Sequence, residues 1–94
     1  MGYTEAKRMV LKALHEGNYI HDERDDIDVK NKFAMGEVTQ AQVINWIKRS
    51  NGINHTSSPL HGDNSVTVHI IKSCGWYIKF YILDPQATFI SVHQ

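Results

Sequence analysis

Little in this sequence would staple a fold together. It holds one cysteine, Cys74, and two prolines in 94 residues. A lone thiol closes no internal disulfide, so no disulfide framework exists. No apolar run approaches the 18 residues that a transmembrane helix needs. Met1 to Glu5 is charged within a few residues and has no apolar core, so no signal peptide is expected there. Ala6 stands where the myristoylation pattern asks for Ser or Thr. These absences lead to the expectation of a cytoplasmic domain without a membrane partner. A glycine-rich phosphate loop is also missing, which argues against a nucleotide-dependent enzyme. Repeats and low-complexity segments are absent as well. The length suits one domain over residues 1–94, burying about two-thirds of the surface of its unfolded chain.

An excess of charge is lacking too: ten Lys and Arg balance ten Asp and Glu. That argues against strong non-specific binding to nucleic acid, but the average hides a split. Residues 1–42 carry a balance of −2, and residues 43–94 a balance of +2 from Lys48, Arg49, Lys72 and Lys79 against Asp63 and Asp84. The same half contains His55, His61, His69 and His93, which add charge below neutral pH. The C-terminal half is therefore mildly basic, a hint of anionic partners.

The periodicity divides the chain in two. Thr4 is expected to cap a first helix whose stripe comprises Val10, Leu11 and Leu14 with Ala6 or Ala13, ended by Gly17-Asn18. A charged segment, Asp22 to Asp28, follows with little to bury, then a short helical turn over Lys30 to Met35 closed by Gly36. Thr39 and Gln42 have capping-box spacing. The helix they open turns Val43, Ile44, Trp46 and Ile47 inward, carries Lys48 and Arg49 in its last turn and stops at Asn51-Gly52. Beyond it the period changes from 3.6 to 2. Strands are expected over 66–71, 76–82 and 88–93, with a short edge strand near 53–56 and a loop at Ser57-Ser58-Pro59. Ser73-Cys74-Gly75 and Asp84-Pro85 read as turns. The fold class is α+β: two to three helices packed on one face of a three- to four-stranded antiparallel sheet.

Alternation then assigns faces. Val66, Val68 and Ile70, Trp76, Ile78, Phe80 and Ile82, and Ile90 and Val92 are expected to face the helices. The other face would carry Thr67, His69, Tyr77, Lys79, Tyr81, Phe89, Ser91 and His93. Aromatic rings stack on bases, lysine holds phosphate and histidine moves protons near neutral pH. These are the groups that RNA cleavage without a metal ion requires: a base for the 2′-OH, an acid for the leaving oxygen and a cation beside phosphorus. A solvated sheet has a similar composition, because aromatic and β-branched residues fit any pleated surface.

The stretches Trp76-Tyr77-Ile78-Lys79-Phe80-Tyr81-Ile82-Leu83-Asp84 and Phe89-Ile90-Ser91-Val92-His93 resemble the end of the motility-quorum-sensing-regulator (MqsR) toxins, which belong with the RelE-like mRNA interferases. That family has a Tyr-aliphatic-Lys strand, a short turn and an apolar strand ending in Ser-x-Lys. Tyr77-Ile78-Lys79 matches the first part, and Ser91-Val92-His93 the second, with His in place of the closing Lys. Gly17-Asn18-Tyr19-Ile20-His21 and Thr39-Gln40-Ala41-Gln42-Val43 resemble a related group of small domains of the same fold. The resemblance implies a RelE-like fold and an endoribonuclease that works without a cofactor on RNA and is neutralised by an antitoxin protein. By position it implies roles for Tyr77, His93, Lys48 and His69; with the shared sheet face and its rim, His93, His69, Tyr77 and Lys79 are expected as catalytic, and Lys48, Arg49 and Tyr81 as RNA-binding.

Other constellations are weaker. The Asp22 to Asp28 run lacks the alternating carboxylates, Gly and distant Glu of a calcium loop. His55, His61, His69 and Cys74 have no tight ligand pair, so no metal site is assigned. Cys74 reads as a turn thiol, the two tryptophans as core, and His21 with Arg24 as local ion pairing. Against the nuclease stand a non-enzymatic interaction domain, including a homodimer built on the aromatic face, and a domain that binds RNA without cutting it.

Overall fold

The computed structural model describes residues 2–23 and 30–94. Most of the acidic run, with Arg24, lies outside the described residues. Helix α1 spans Tyr3–Glu16 and buries Ala6, Val10, Ala13 and Leu14, which recur three and four apart along one stripe. Its N-cap is Gly2, not the expected Thr4, which already lies in the first turn. Gly17 ends it at φ 69°, where the Gly17 and Asn18 N–H groups return to the carbonyls of Leu14 and Ala13. A three-residue strand, β1 (Tyr19–His21), follows. Residues 31–37 fold into successive turns whose amides bond back to Asn31, Phe33 and Lys32. Helix α2 spans Gln40–Arg49 and opens with the expected capping box: the Gln42 N–H donates to Thr39 Oγ1 at 3.1 Å and the Thr39 N–H to Gln42 Oε1 at 2.8 Å.

Strands β2 (His55–Leu60), β3 (Asp63–Ser73), β4 (Trp76–Leu83) and β5 (Gln86–His93) complete a sheet of order β1-β5-β4-β3-β2. The α+β class stands, but the sheet has five strands and is mixed, because β1 runs parallel to β5. Three residues are too few to display a period, so β1 left no signal. β2 takes in Ser57, Ser58 and Pro59, expected as loop; pairing with β3 holds this polar segment extended. Among the described residues both helices cover one face of the sheet, with Ile71, Ile78, Phe80, Phe89 and Val92 beneath them. Trp46 of α2 stacks on Trp76 at 4.4 Å between ring centroids, so both tryptophans belong to this packing.

The expected face of β3 is inverted. Cys74 (φ 54°) and Gly75 (φ 82°) are the two central residues of the β3–β4 turn, the pair of positive φ values that a tight hairpin needs. Ser73 therefore pairs with Trp76, Lys72 with Tyr77 and His69 with Phe80. A three-residue turn, Ser73-Cys74-Gly75, would pair even with even; a two-residue turn pairs even with odd and moves every β3 side chain to the opposite face. His69 thus lies under the helix layer, 1% exposed, with Ile71. Val68, Ile70 and Lys72 lie on the outer face.

β5 changes phase once along its length. Phe89 pairs with Phe80, but Ser91 pairs with Lys79, leaving Ile90 as the extra residue of a bulge. Before the bulge, Ala87 and Phe89 enter the core; after it, Val92 does. Phe89 is therefore core, contrary to the alternation, whereas Ser91 and His93 keep their expected face.

Candidate functional site

The register builds three rows on the outer face. Lys72, Tyr77 and His93 form the row nearest the β3–β4 turn; Ile70, Lys79 and Ser91 form the next; Val68, Tyr81 and Thr88 the last. Side chains directly opposite in adjacent strands touch, and the Tyr77 and His93 rings stack at 4.8 Å with 19° between their planes. His93 Nδ1 lies 2.9 Å from the Gln94 main-chain oxygen. That oxygen only accepts, so Nδ1 is the donor of this bond, which leaves Nε2 as the ring nitrogen not engaged by it. The penultimate side chain is thereby fixed by a stack and a hydrogen bond.

Two clefts flank the stack. One, of about 410 Å³, is lined by Lys72, Cys74, Trp76 and Tyr77 among others; the second, of about 310 Å³, by Lys30, Lys32, Trp76 and His93. Both touch Trp76 and Gln94. Lys72 thus lines one cleft beside the aromatic pair and Lys30 and Lys32 the other, with Lys32 paired to Glu37 at 3.3 Å.

The structure brings together Tyr77, Lys79, Tyr81 and His93, but not the other candidates. His69 is on the opposite face and bonds to His55, with Nδ1 and Nε2 3.0 Å apart, while its ring stacks on Phe80 at 5.6 Å. Burial foremost, then the nearby His55 charge, lowers its pKa from 6.5 to about 4. It is a neutral core histidine with no access to a ligand on the outer face. Lys48 and Arg49 end α2 in the helix layer, exposed to solvent and away from the rows. His55, His61, His69 and Cys74 do not converge: among the described residues no three ligating side chains group together. Arg24 lies outside the described residues; among those described, His21 has a polar partner. Asn31, fully buried, accepts from the Ala34 N–H and donates to the Phe89 carbonyl, which orients its amide so that it also donates to His21 Nδ1 at 3.2 Å.

Lys72 was missed as a site residue. Its signal was Cys74-Gly75, a dipeptide able to make a two-residue turn and so to set Lys72 opposite Tyr77. Lys30 and Lys32 were missed because the Asn31–Val92 bridge that sets them beside His93 is a long-range pairing without a local pattern.

Comparison of the chain with family models, with characterised proteins and with solved structures finds no match.

Proposed function

We propose that the outer sheet face binds single-stranded RNA and cleaves it by acid–base chemistry, as the likeness to the RelE and MqsR toxins implies. The observation that carries this reading is the Tyr77–His93 stack with Lys72 and Lys79 beside it, in which Nδ1 of His93 is engaged by the Gln94 oxygen. In this mechanism Nε2 takes the proton of a ribose 2′-OH, and the oxygen attacks the adjacent phosphorus. The 5′ oxygen leaves with a proton from the Tyr77 hydroxyl, giving a 2′,3′-cyclic phosphate and a free 5′-OH. Lys79 and Lys72 hold the non-bridging oxygens as charge builds on them. Tyr81, two residues along β4 from Lys79, offers a ring to the next base. His69, expected among the catalytic residues, has no part in this scheme, because the inverted β3 face buries it beneath the helices. An antitoxin protein would act by covering the same rows.

The test is cleavage of end-labelled single-stranded RNA in EDTA by the purified chain and by His93→Ala. A positioned general base contributes about 10²–10⁴ in rate, so the variant should lose that much while still binding RNA. Cleavage by His93→Ala at the parent rate would remove His93 from the chemistry. Salt-sensitive binding without product in either protein would leave an RNA-binding face and no nuclease.

A further inference from the structure

A third cleft on the outer face, of about 310 Å³, lies beside the second row and holds two opposite charges. Val68 and Ile90, both buried, make an apolar floor; Lys79 rises from it, and Asp22, Ser58 and His61 stand on the walls. Asp22 follows β1 and its N–H donates to the Phe89 carbonyl at 2.9 Å, so the backbone under its carboxylate is tied to β5. Asp22 and Lys79 share the cleft, yet no ion pair joins them among the described residues. The site therefore presents an anion and a cation separately over an apolar floor. A ligand that satisfies all three parts has a flat ring, a phosphate and a hydrogen-bond donor edge.

We propose that this cleft reads a guanine base, an inference that rests on the RNA-directed reading of the same face. The choice of base follows from the carboxylate, which accepts and never donates. On the Watson–Crick edge, guanine offers two adjacent donors, N1–H and the 2-amino group, matching both oxygens of Asp22. Adenine and cytosine each offer one donor beside a bare ring nitrogen that repels the carboxylate; uracil offers one donor between two carbonyls. Lys79 and Tyr77 are two residues apart on β4, about 6.6 Å along the strand, so a base in the cleft and a phosphate beside His93 belong to neighbouring units of one strand. The bulge at Ile90 is what puts an apolar side chain under the ring while returning Ser91 and His93 to the outer face.

The test is titration of the full chain with 5′-GMP, 5′-IMP and 5′-AMP, followed by NMR or calorimetry, for the parent and for Asp22→Asn. GMP should bind about tenfold to a hundredfold more tightly than AMP, the discrimination of a good bidentate pair. IMP, which lacks the 2-amino group, should fall between them. Asp22→Asn should erase the preference, and Asp22→Glu should restore part of it, with far-UV circular dichroism verifying the fold of each. Equal affinities in the parent, no nucleotide binding, or a preference that survives Asp22→Asn would overturn the assignment. Mononucleotide binding needs no cleavage, so the two proposals fail separately. Selective GMP binding by a chain that cuts no RNA ends the nuclease and keeps the subsite; cleavage indifferent to the base does the reverse.

Discussion

Acid should unfold this protein through His69, and the size of the effect follows from where the ring sits. His69 is 1% exposed between His55 and Phe80, with its pKa lowered to about 4 from the 6.5 of an unburied histidine. The unfolded chain therefore binds a proton that the folded chain refuses between those values. Stability is full above about pH 6.5, declines as pH falls towards 4, and loses about 3 kcal/mol in all at about 1.4 kcal/mol per unit. At pH 5 the loss relative to pH 7 is about 2 kcal/mol. His55 and His21, both lowered by burial, add to it in the same direction. The assay is urea unfolding at pH 7 and pH 5 for the parent, His69→Phe and His69→Gln. With an ordinary urea slope, the parent's midpoint should fall by roughly 1–2 M. Both variants should show a much smaller fall, because neither can take up the proton. His69→Phe retains a ring against Phe80, so it separates lost titration from lost packing. An equal pH dependence in all three proteins would refute the burial argument, and with it the inverted face of β3.

Other changes test other contacts. Asn31→Ala should cost about 1–3 kcal/mol, read from the urea midpoint, because it leaves the Ala34 N–H without its acceptor and removes the buried amide that donates to His21 Nδ1 and the Phe89 carbonyl. Cys74→Asn should raise stability by about 0.5–1 kcal/mol, since Asn tolerates the left-handed φ of 54° better and completes an Asn-Gly turn; a lowered midpoint would contradict the turn assignment. Lys72→Ala should weaken RNA binding evenly across sequences and reduce the salt slope by about one counterion, measured by fluorescence anisotropy at several salt concentrations.

Both helices were legible in the sequence because their signals are local. The stripe of Ala6, Val10, Ala13 and Leu14 and the Thr39–Gln42 box fall within a few turns of the residues they organise. β3, β4 and β5 were legible as strands, and β4 and the end of β5 were given their correct faces. Tyr77, Lys79 and Tyr81 alternate through β4 without interruption, so the row-forming side of that strand needed no partner to reveal it. β1, and the arrival of Lys30 and Lys32 beside His93, depend on pairing with β5 and leave nothing for a local period to detect.

What could not be read from alternation was phase. A period of 2 states which residues share a face and says nothing of which face. In β3 both sets are partly apolar, Val66, Val68 and Ile70 against His69 and Ile71, so hydrophobicity favoured the first and chose wrongly. Counting the turn settles it: with Cys74 and Gly75 as the only unpaired residues, Lys72 must face Tyr77 and His69 must face Phe80. One residue decides whether the outer face gains a lysine or a histidine. The same arithmetic fails in β5 unless the bulge is known, because Phe89 and Ser91 are both odd and lie on opposite faces. Two such shifts within 94 residues produce the site: the two-residue turn removes His69 and supplies Lys72, and the bulge returns His93 to the face of Tyr77. The nuclease reading therefore rests on one histidine where the alternation offered two. A second proton-transfer group must come from Tyr77 or a lysine, so exchanging Tyr77 for Phe should slow cleavage with little effect on RNA binding, and an unchanged rate would assign the acid to a lysine.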